Sequence, residues 1–375
     1  MEEVYGAALA DLLSYEAPQG VPVLREAFGS LEKAWKAGIK DLRAAGLLTP
    51  ALEKVWRDSR KPALPEKIWD WCQVHGARII SRWSPDYPPL VDQLGAPPPV
   101  LYVKGRLPEQ PACLAIVGSR KATDYGLAVA ARFARAAALE KVPVISGGAY
   151  GIDAAAHRAA LEAGGLTVAV LGGGLGELYP RRHLRLFDKI CEQGALVTEQ
   201  SPWTPPLPQN FPLRNRIIVG LSRSVLVVEA AIRSGAMSTA HAAADENRDL
   251  YAVPGPIDSE TSQGTHWLLK QGARLGDDPR ELLDSLLGRE PGTCTGPAEE
   301  EEPDLFGEVS PEEQERAGAL YRWIKKHRAQ SLEDLAGAFP WPLAVLSTLL
   351  LELELGAGSG ETAEIVILHF RRRKS

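Results

Sequence analysis

The sequence predicts an α/β protein built on an extended Rossmann-like, doubly wound parallel sheet. Three observations carry this. Six short apolar runs, "LAIVG", "VPVISGG", "TVAVLGGG", "GALVTEQ", "SVLVVEA" and "DLYAVPG", alternate with alanine-rich helical stretches between Cys113 and about residue 288, the pattern of strands covered on both faces by crossover helices. Several runs end in glycine or a small polar residue, where open α/β sheets bind ligands. Finally, Pro- and acid-rich segments separate this region from helical stretches on either side.

Residues 1–80 read as a small helical domain of SAM or helix-hairpin type, with Leu24, Phe28, Leu31, Trp35, Ile39 and Leu42 at helical spacing. Packing, dimerisation and contact with a nucleic-acid backbone are equally open uses for it. The proline-dense "SPDYPPLVDQLGAPPPVLYVKG" then forces extended chain and turns, which sets the main domain at 81–288. Residues 289–308 lose apolar content and gain acid, as a linker does. Over 309–375, Leu320, Trp323 and Ile324 mark one amphipathic helix, Ser331 and Asp334 resemble a capping box, Pro342 starts a third helix, and "ETAEIVILHF" reads as a strand. That is the order of a winged helix. Its third helix lacks Lys and Arg and carries Glu352 and Glu354, so protein contact suits it better than DNA. The basic tail "RRRKS" is either a nonspecific DNA contact or a solvated end.

The chain has 375 residues and a formal net charge of −6, so any anionic partner must meet a local basic patch rather than a basic surface. Its longest apolar stretches fall short of the ~18 residues a spanning helix needs. The opening "MEEVYGAALADLL" lacks a basic start, and a cytoplasmic location is expected. Cys72, Cys113, Cys191 and Cys294 form no CxxC pair and the histidines no ligand spacing, so neither disulfide nor metal is expected.

A dinucleotide fold requires G-x-G-x-x-G after its first strand and an acid after its second. Here Gly118 is followed by Ser119 and Arg120, and the second strand ends in Ser146 and Gly147. A P-loop is also missing, so no nucleotide cofactor is expected. What remains are strand ends suited to anions. "GSR" offers turn amides, a hydroxyl and a guanidinium, and "SGGAYGIDAAAH" places Ser146, Gly147, Gly148 and Gly151 before a helix N-terminus. "GGGLGELYPRRH" adds Arg181, Arg182 and His183, and "FPLRNRI" adds Arg214, Asn215 and Arg216. Any one of these is weak evidence, since glycine ends many strands, but four on one edge predict a phosphate groove. Asp153 is expected to cap a helix and His157 to sit in one without catalytic duty. Tyr150, Tyr179 and Phe211 lie in the same loops, the last two expected to pack. Glu199 and Glu229 follow strands, yet no nucleophile and base pair accompanies them.

Together "YPPLVDQLGAPPPVLYVKG", "AIVGSR", "SGGAYGIDAAAH", "TVAVLGGGLGELYP", "LPQNFPLRNRIIVGLS", "VVEAAIRSGAMSTAHAA" and "VPGPI", over about residues 86–275, resemble the DNA-processing protein A (DprA, or Smf) family. The resemblance implies a non-enzymatic single-stranded DNA binder of natural transformation that protects incoming strands and helps load a RecA-type recombinase. It further implies a homodimer through the Rossmann-like domain, with single-stranded-DNA-binding protein as another partner. Carried onto this sequence, Ser119, Arg120, the Ser146–Gly151 backbone, Arg181, Arg214 and Arg216 become phosphate contacts. Arg181 stands where the family often has lysine, so a fork replaces a point charge. The alternative is a nucleotide-handling hydrolase of the lysine-decarboxylase-like phosphoribohydrolase group. Its "PGGxGTxxE" motif has only "EAAIRSGAMSTA" as a counterpart, with no carboxylate after the threonine.

Overall fold

The computed structural model describes residues 2–13, 20–109, 112–290 and parts of 316–349. The chain divides into two compact units, Met1–Gly296 and Pro297–Ser375. In the second, a helix spans Leu332–Ala338, and the Phe339 and Trp341 rings stack with centroids 4.5 Å apart. The acidic linker and the winged helix expected from the sequence lie largely outside the described residues.

The first unit opens with six helices: α1 (Glu2–Leu13), α2 (Gly20–Phe28), α3 (Leu31–Lys36), α4 (Ile39–Ala44), α5 (Pro50–Asp58) and α6 (Leu64–His75). Their starts follow side-chain chemistry: Ser30 accepts the Lys33 amide and Thr49 the Leu52 amide, each satisfying an orphan donor of the first turn. Gly76, at φ 63°, ends α6 in the left-handed conformation.

The helical reading of residues 1–80 stops short here. Ala77–Ser81 form strand β1, which pairs antiparallel with β2 (Val100–Gly105), and β2 pairs antiparallel with a later strand. Once Gly76 breaks the helix, Ile79 and Ile80 suit an edge strand. The "VLYVKG" run is therefore a strand of the sheet itself.

All six predicted runs form parallel strands: β3 (Leu114–Val117), β4 (Val144–Ser146), β5 (Thr167–Val170), β6 (Ala195–Thr198), β7 (Ser224–Val227) and β8 (Asp249–Ala252). A two-residue β9 (Arg274–Leu275) completes the sheet in the order β1-β2-β6-β5-β4-β3-β7-β8-β9. The sheet is thus mostly parallel, with an antiparallel margin that corrects the fully parallel expectation. Crossovers are α8 (Asp124–Leu139), α9 (Ile152–Glu162), α10 (Leu184–Gln193), α11 (Asn210–Gly220), α12 (Gly235–Asp245) and α13 (Glu260–Lys270), with α7 (Pro89–Asp92) in the proline-rich loop and α14 (Pro279–Leu287) at the end.

Strand residues alternate between two apolar cores, as period 2 requires. Leu114 and Ile116 pack with Phe133 of α8 and the alanines of α9, while Ala115 and Val117 face Ile217 and Ile218 of α11 and Ala240 of α12. Tyr102, Ala169 and Leu196 join Leu9, Leu31 and Trp35 of the N-terminal helices and Phe187 of α10 in a further core. No helix among the described residues is long and apolar enough to cross a membrane.

His157, read from the sequence as a helix residue without catalytic duty, lies in α9 and is fully buried. Its Nδ1–H donates to Thr167 Oγ1 (2.7 Å), whose own proton goes to the Val144 carbonyl (2.8 Å), so that ring nitrogen carries the hydrogen. Burial, aided by the His183, Arg214 and Arg158 charges, pulls its pKa from 6.5 to about 3. Between those values the unfolded chain holds a proton that the folded chain excludes, so stability is full above pH 6.5 and falls as pH drops toward 3. The expected slope approaches about 1.4 kcal/mol per pH unit. Urea melts between pH 7 and pH 4 check this: His157→Gln should show a flatter acid limb than the parent, and parallel limbs would refute the assignment.

Candidate functional site

The loops after β3, β4, β5 and β6 converge at the carboxyl edge of the sheet. Gly118 leaves β3 with no room for a side chain, since a Cβ there would lie 2.6 Å from Ile152 Cγ1. Ser119 Oγ then accepts the Lys121 amide at 3.1 Å, its carbonyl accepts the Ile152 amide at 3.2 Å, and Arg120 emerges exposed. The Arg120 guanidinium sits 5.4 Å from the centroid of the Phe211 ring, and no carboxylate pairs with it among the described residues.

The loop after β4 is bound from within. The Asp153 carboxylate accepts the Gly147 and Ala149 amides at 3.1 and 3.3 Å, so it ties the loop down rather than capping α9. Arg214 is 5% exposed and donates to the Gly147 carbonyl at 2.8 Å and to the Val170 carbonyl. Burial lowers its pKa to about 10, opposed by Asp153, and leaves it charged at neutral pH. Burial also raises the Asp153 carboxyl, against the pull of Arg214 and the loop amides. Gly148 and Gly151 adopt φ of 68° and 73°, and a Cβ on Gly151 would overlap the Ser119 carbonyl oxygen. The amides of Tyr150 and Gly151, in the half-exposed part of this loop, have no protein partner among the described residues. Successive free amides beside left-handed glycines form an anion-binding concavity.

Arg181, Arg182 and His183 form a short 3-10 turn ahead of α10. Both arginines are exposed and unpaired among the described residues. His183 is buried, and its Nδ1–H donates to the Gly148 carbonyl at 3.0 Å, which joins this turn to the β4 loop. Tyr150 packs edge-on against His183 at 4.8 Å, and Tyr179 against Phe211 at 6.2 Å. These contacts link Arg120, Phe211, Tyr179, the Arg181–Arg182 turn and Tyr150 into one rim. Tyr179 is 49% and Tyr150 38% exposed, so Tyr179 packs within the loop region rather than in the core, while Phe211 is half-buried between two guanidiniums.

Not every predicted contact presents itself. Ser146 is fully buried and its hydroxyl donates to the Ile116 carbonyl at 2.6 Å. Gly147 and Gly148 are buried too, so these three shape the loop from beneath. Asn215 is buried and donates to the Gly235 carbonyl at 3.3 Å. Arg216 pairs with Glu199, and its place on α11, about 140° round from Phe211, turns it away from the rim. Burial raises the Glu199 carboxyl in spite of that arginine. Glu229 accepts the Thr123 amide at 3.0 Å and the Thr123 hydroxyl at 2.5 Å. Both strand-end glutamates are therefore tied to structure, and no His, Cys, Asp and Glu group among the described residues suits a metal.

Gly151 is the tightest test of this geometry, because its φ and its contact with Ser119 both exclude a side chain. Gly151→Ala should cost about 1–3 kcal/mol of stability and displace the Ser119–Arg120 turn. Thermal melts together with anion-binding titrations would show this, and a variant equal to the parent in both would refute it.

Comparison with known proteins agrees with this architecture. The family model for DNA recombination-mediator protein A matches residues 78–287. Protein Smf of Escherichia coli is 46% identical over 218 residues, 58% of this chain and 58% of that protein, so the match spans little more than half that relative's length. DNA processing protein DprA of Bacillus subtilis is 34% identical over 273 residues, 69% of this chain and 90% of that protein. The X-ray structure of DprA from Streptococcus pneumoniae superposes with a TM-score of 0.59 at 31% identity, covering 76% of this chain and 93% of that one. DNA processing protein A from Helicobacter pylori, whose structure concerns its single-stranded DNA binding mode, gives 0.51 at 27% identity over 56% of this chain and 96% of that one. With its motifs in order, its sheet matched and more than half its length covered, the chain belongs to the DNA recombination-mediator protein A family, that of DprA and Smf.

Proposed function

We propose that this protein binds single-stranded DNA through the rim at the carboxyl edge of its sheet and serves DNA processing in natural transformation. The observation that carries this reading is the exposed, unpaired Arg120 over Phe211, beside the free amides of Tyr150 and Gly151. A strand binder without sequence preference needs positive charge and backbone donors for phosphates and aromatic faces for bases. Ser119, Arg120, Gly151, Arg181 and Arg182 supply the first, with Gly118, Ser146, Gly147, Gly148 and Arg214 holding them in place. Tyr150 and Tyr179 supply the second. Asn215 and Arg216 are occupied elsewhere and take no direct part.

In this reading the protein does not turn over substrate. It covers incoming strands and passes them to a RecA-type recombinase in the cytoplasm. It works as a homodimer through the Rossmann-like domain, beside single-stranded-DNA-binding protein. The helical domain before residue 81 and the winged helix after residue 308 flank the DNA-binding domain. The Helicobacter pylori relative's single-stranded DNA binding mode supports the substrate class.

Fluorescence anisotropy with labelled oligo-dT over a salt series tests the site. Arg120→Ala should weaken binding and lower the salt slope by about 0.7, and Arg120→Ala/Arg181→Ala by about 1.4, one released counterion set per lost phosphate contact. Unchanged binding by the double variant would move the site elsewhere, and absence of binding by the parent would overturn the function.

A further inference from the structure

The glycine run after β5 leads from the rim to a second cluster of aromatic and basic side chains. A Cβ on Gly172 would lie 2.9 Å from Phe211, and one on Gly173 3.1 Å from Pro206. The Gly174 amide donates to the Thr204 carbonyl at 2.8 Å and the Gly176 amide to the Pro202 carbonyl at 2.9 Å. The 201–211 segment thus covers the run, whose Gly172, Gly173 and Gly174 are buried. At its far end a Cβ on Gly176 would lie 3.4 Å from the Trp71 ring of α6.

On α6, Lys67, Trp71 and His75 fall at i, i+4 and i+8, one face of the helix. Lys67 Nζ sits 4.3 Å over the Trp203 ring. Trp71 and His75 stack at 4.1 Å with planes 13° apart, and His75 remains exposed. Among the described residues no carboxylate pairs with Lys67. The surrounding stretch, residues 31–67, holds nine Lys and Arg against five Asp and Glu in a chain whose net charge is −6. Cation and ring pairs therefore stand at both ends of the 201–211 segment: Arg120 and Phe211 at one, Lys67 and Trp203 at the other.

We propose that a bound DNA strand continues from the Arg120 rim across the 201–211 segment onto the α6 face, where Lys67 takes a phosphate and the open face of His75, backed by Trp71, takes a base. This makes the N-terminal helical region part of the DNA site. The proposal rests on the strand-binding reading above and extends it to a length dependence. Charge complementarity and continuity with the rim argue for the same strand as occupant. Glu177, exposed beside Gly176, and the exposed Glu66 and Asp70 of α6 are acids near the route and limit affinity there.

The test uses the full chain and labelled oligo-dT of about 6 and about 15 nucleotides, within the range of known single-strand site sizes. Lys67→Glu and Lys67→Ala/His75→Ala should weaken binding of the longer strand about 10-fold and reduce its salt slope by about 0.7, with the shorter strand bound as by the parent. Lys67→Arg should retain affinity for both. Thermal melts show that the variants fold. Parent-like binding of the longer strand by both variants would overturn the proposal, as would equal weakening on both lengths. Arg120→Ala distinguishes the two failures: it should weaken both lengths, and if it weakens neither, the rim reading falls and this extension with it.

Discussion

The arrangement at the carboxyl edge depends on one buried cation. The Arg214 guanidinium reaches from α11 to the carbonyls of Gly147 and Val170, the turns that end β4 and β5, with the Asp153 carboxylate close by. Asp153 in turn gathers the Gly147 and Ala149 amides. Taking such charges out of water is costly, and the cost is met only when their donors and acceptors are satisfied by fixed partners. Their hydrogen bonds to backbone tie together two neighbouring strand ends and the entry of α9, with Arg214 Nε left without a hydrogen-bond partner among the described residues. Removing either group would leave the other charge buried without its counterweight, so both loops are tied to the core below them.

That anchoring matters because the exposed groups depend on it for position. Arg120 has no side-chain hydrogen bond to an acid among the described residues; it is placed by the Ser119 turn, by the bare Gly151 it crosses and by the Phe211 ring. The Arg181–Arg182 turn is placed by His183, which is bound to the Gly148 carbonyl. A protein of net negative charge can hold an anionic polymer only where its cations are not neutralised by its own acids. At this edge Asp153, Glu199 and Glu229 are turned inward onto backbone, Thr123 and Arg216, and Glu177 of the β5 loop is exposed.

Much of this was legible in the sequence, and the rest was not for definite reasons. Continuous apolar runs identified β3 to β8, because strands buried on both faces need no alternation. The two-residue β9, exposed at both positions, has no hydrophobic signal to read. β1 was hidden by its neighbours, as a five-residue strand directly after a twelve-residue helix looks like its last turn. At the site, sequence position foretold the loops better than side-chain orientation. Arg120, Arg181 and Arg182 are exposed on the loops that follow β3 and β5. Arg214 and Arg216 belong to one helix two positions apart, so one faces the strand ends and the other faces Glu199. Which of the two turns inward depends on where α11 docks, a tertiary fact that no local pattern contains.

The antiparallel margin of the sheet also bears on how the molecule forms. β2 is hydrogen-bonded to β6, Tyr102 opposite Thr198, so the strand that anchors the N-terminal helices waits for a partner made only after β3, β4, β5 and three crossover helices. Closing so long a loop is entropically slow. During synthesis the N-terminal helices and the β1–β2 hairpin emerge with an unpaired edge and an apolar face open. Completion of the first third of the chain is thereby coupled to the arrival of its middle, and the unit assembles as a whole rather than from its beginning onward.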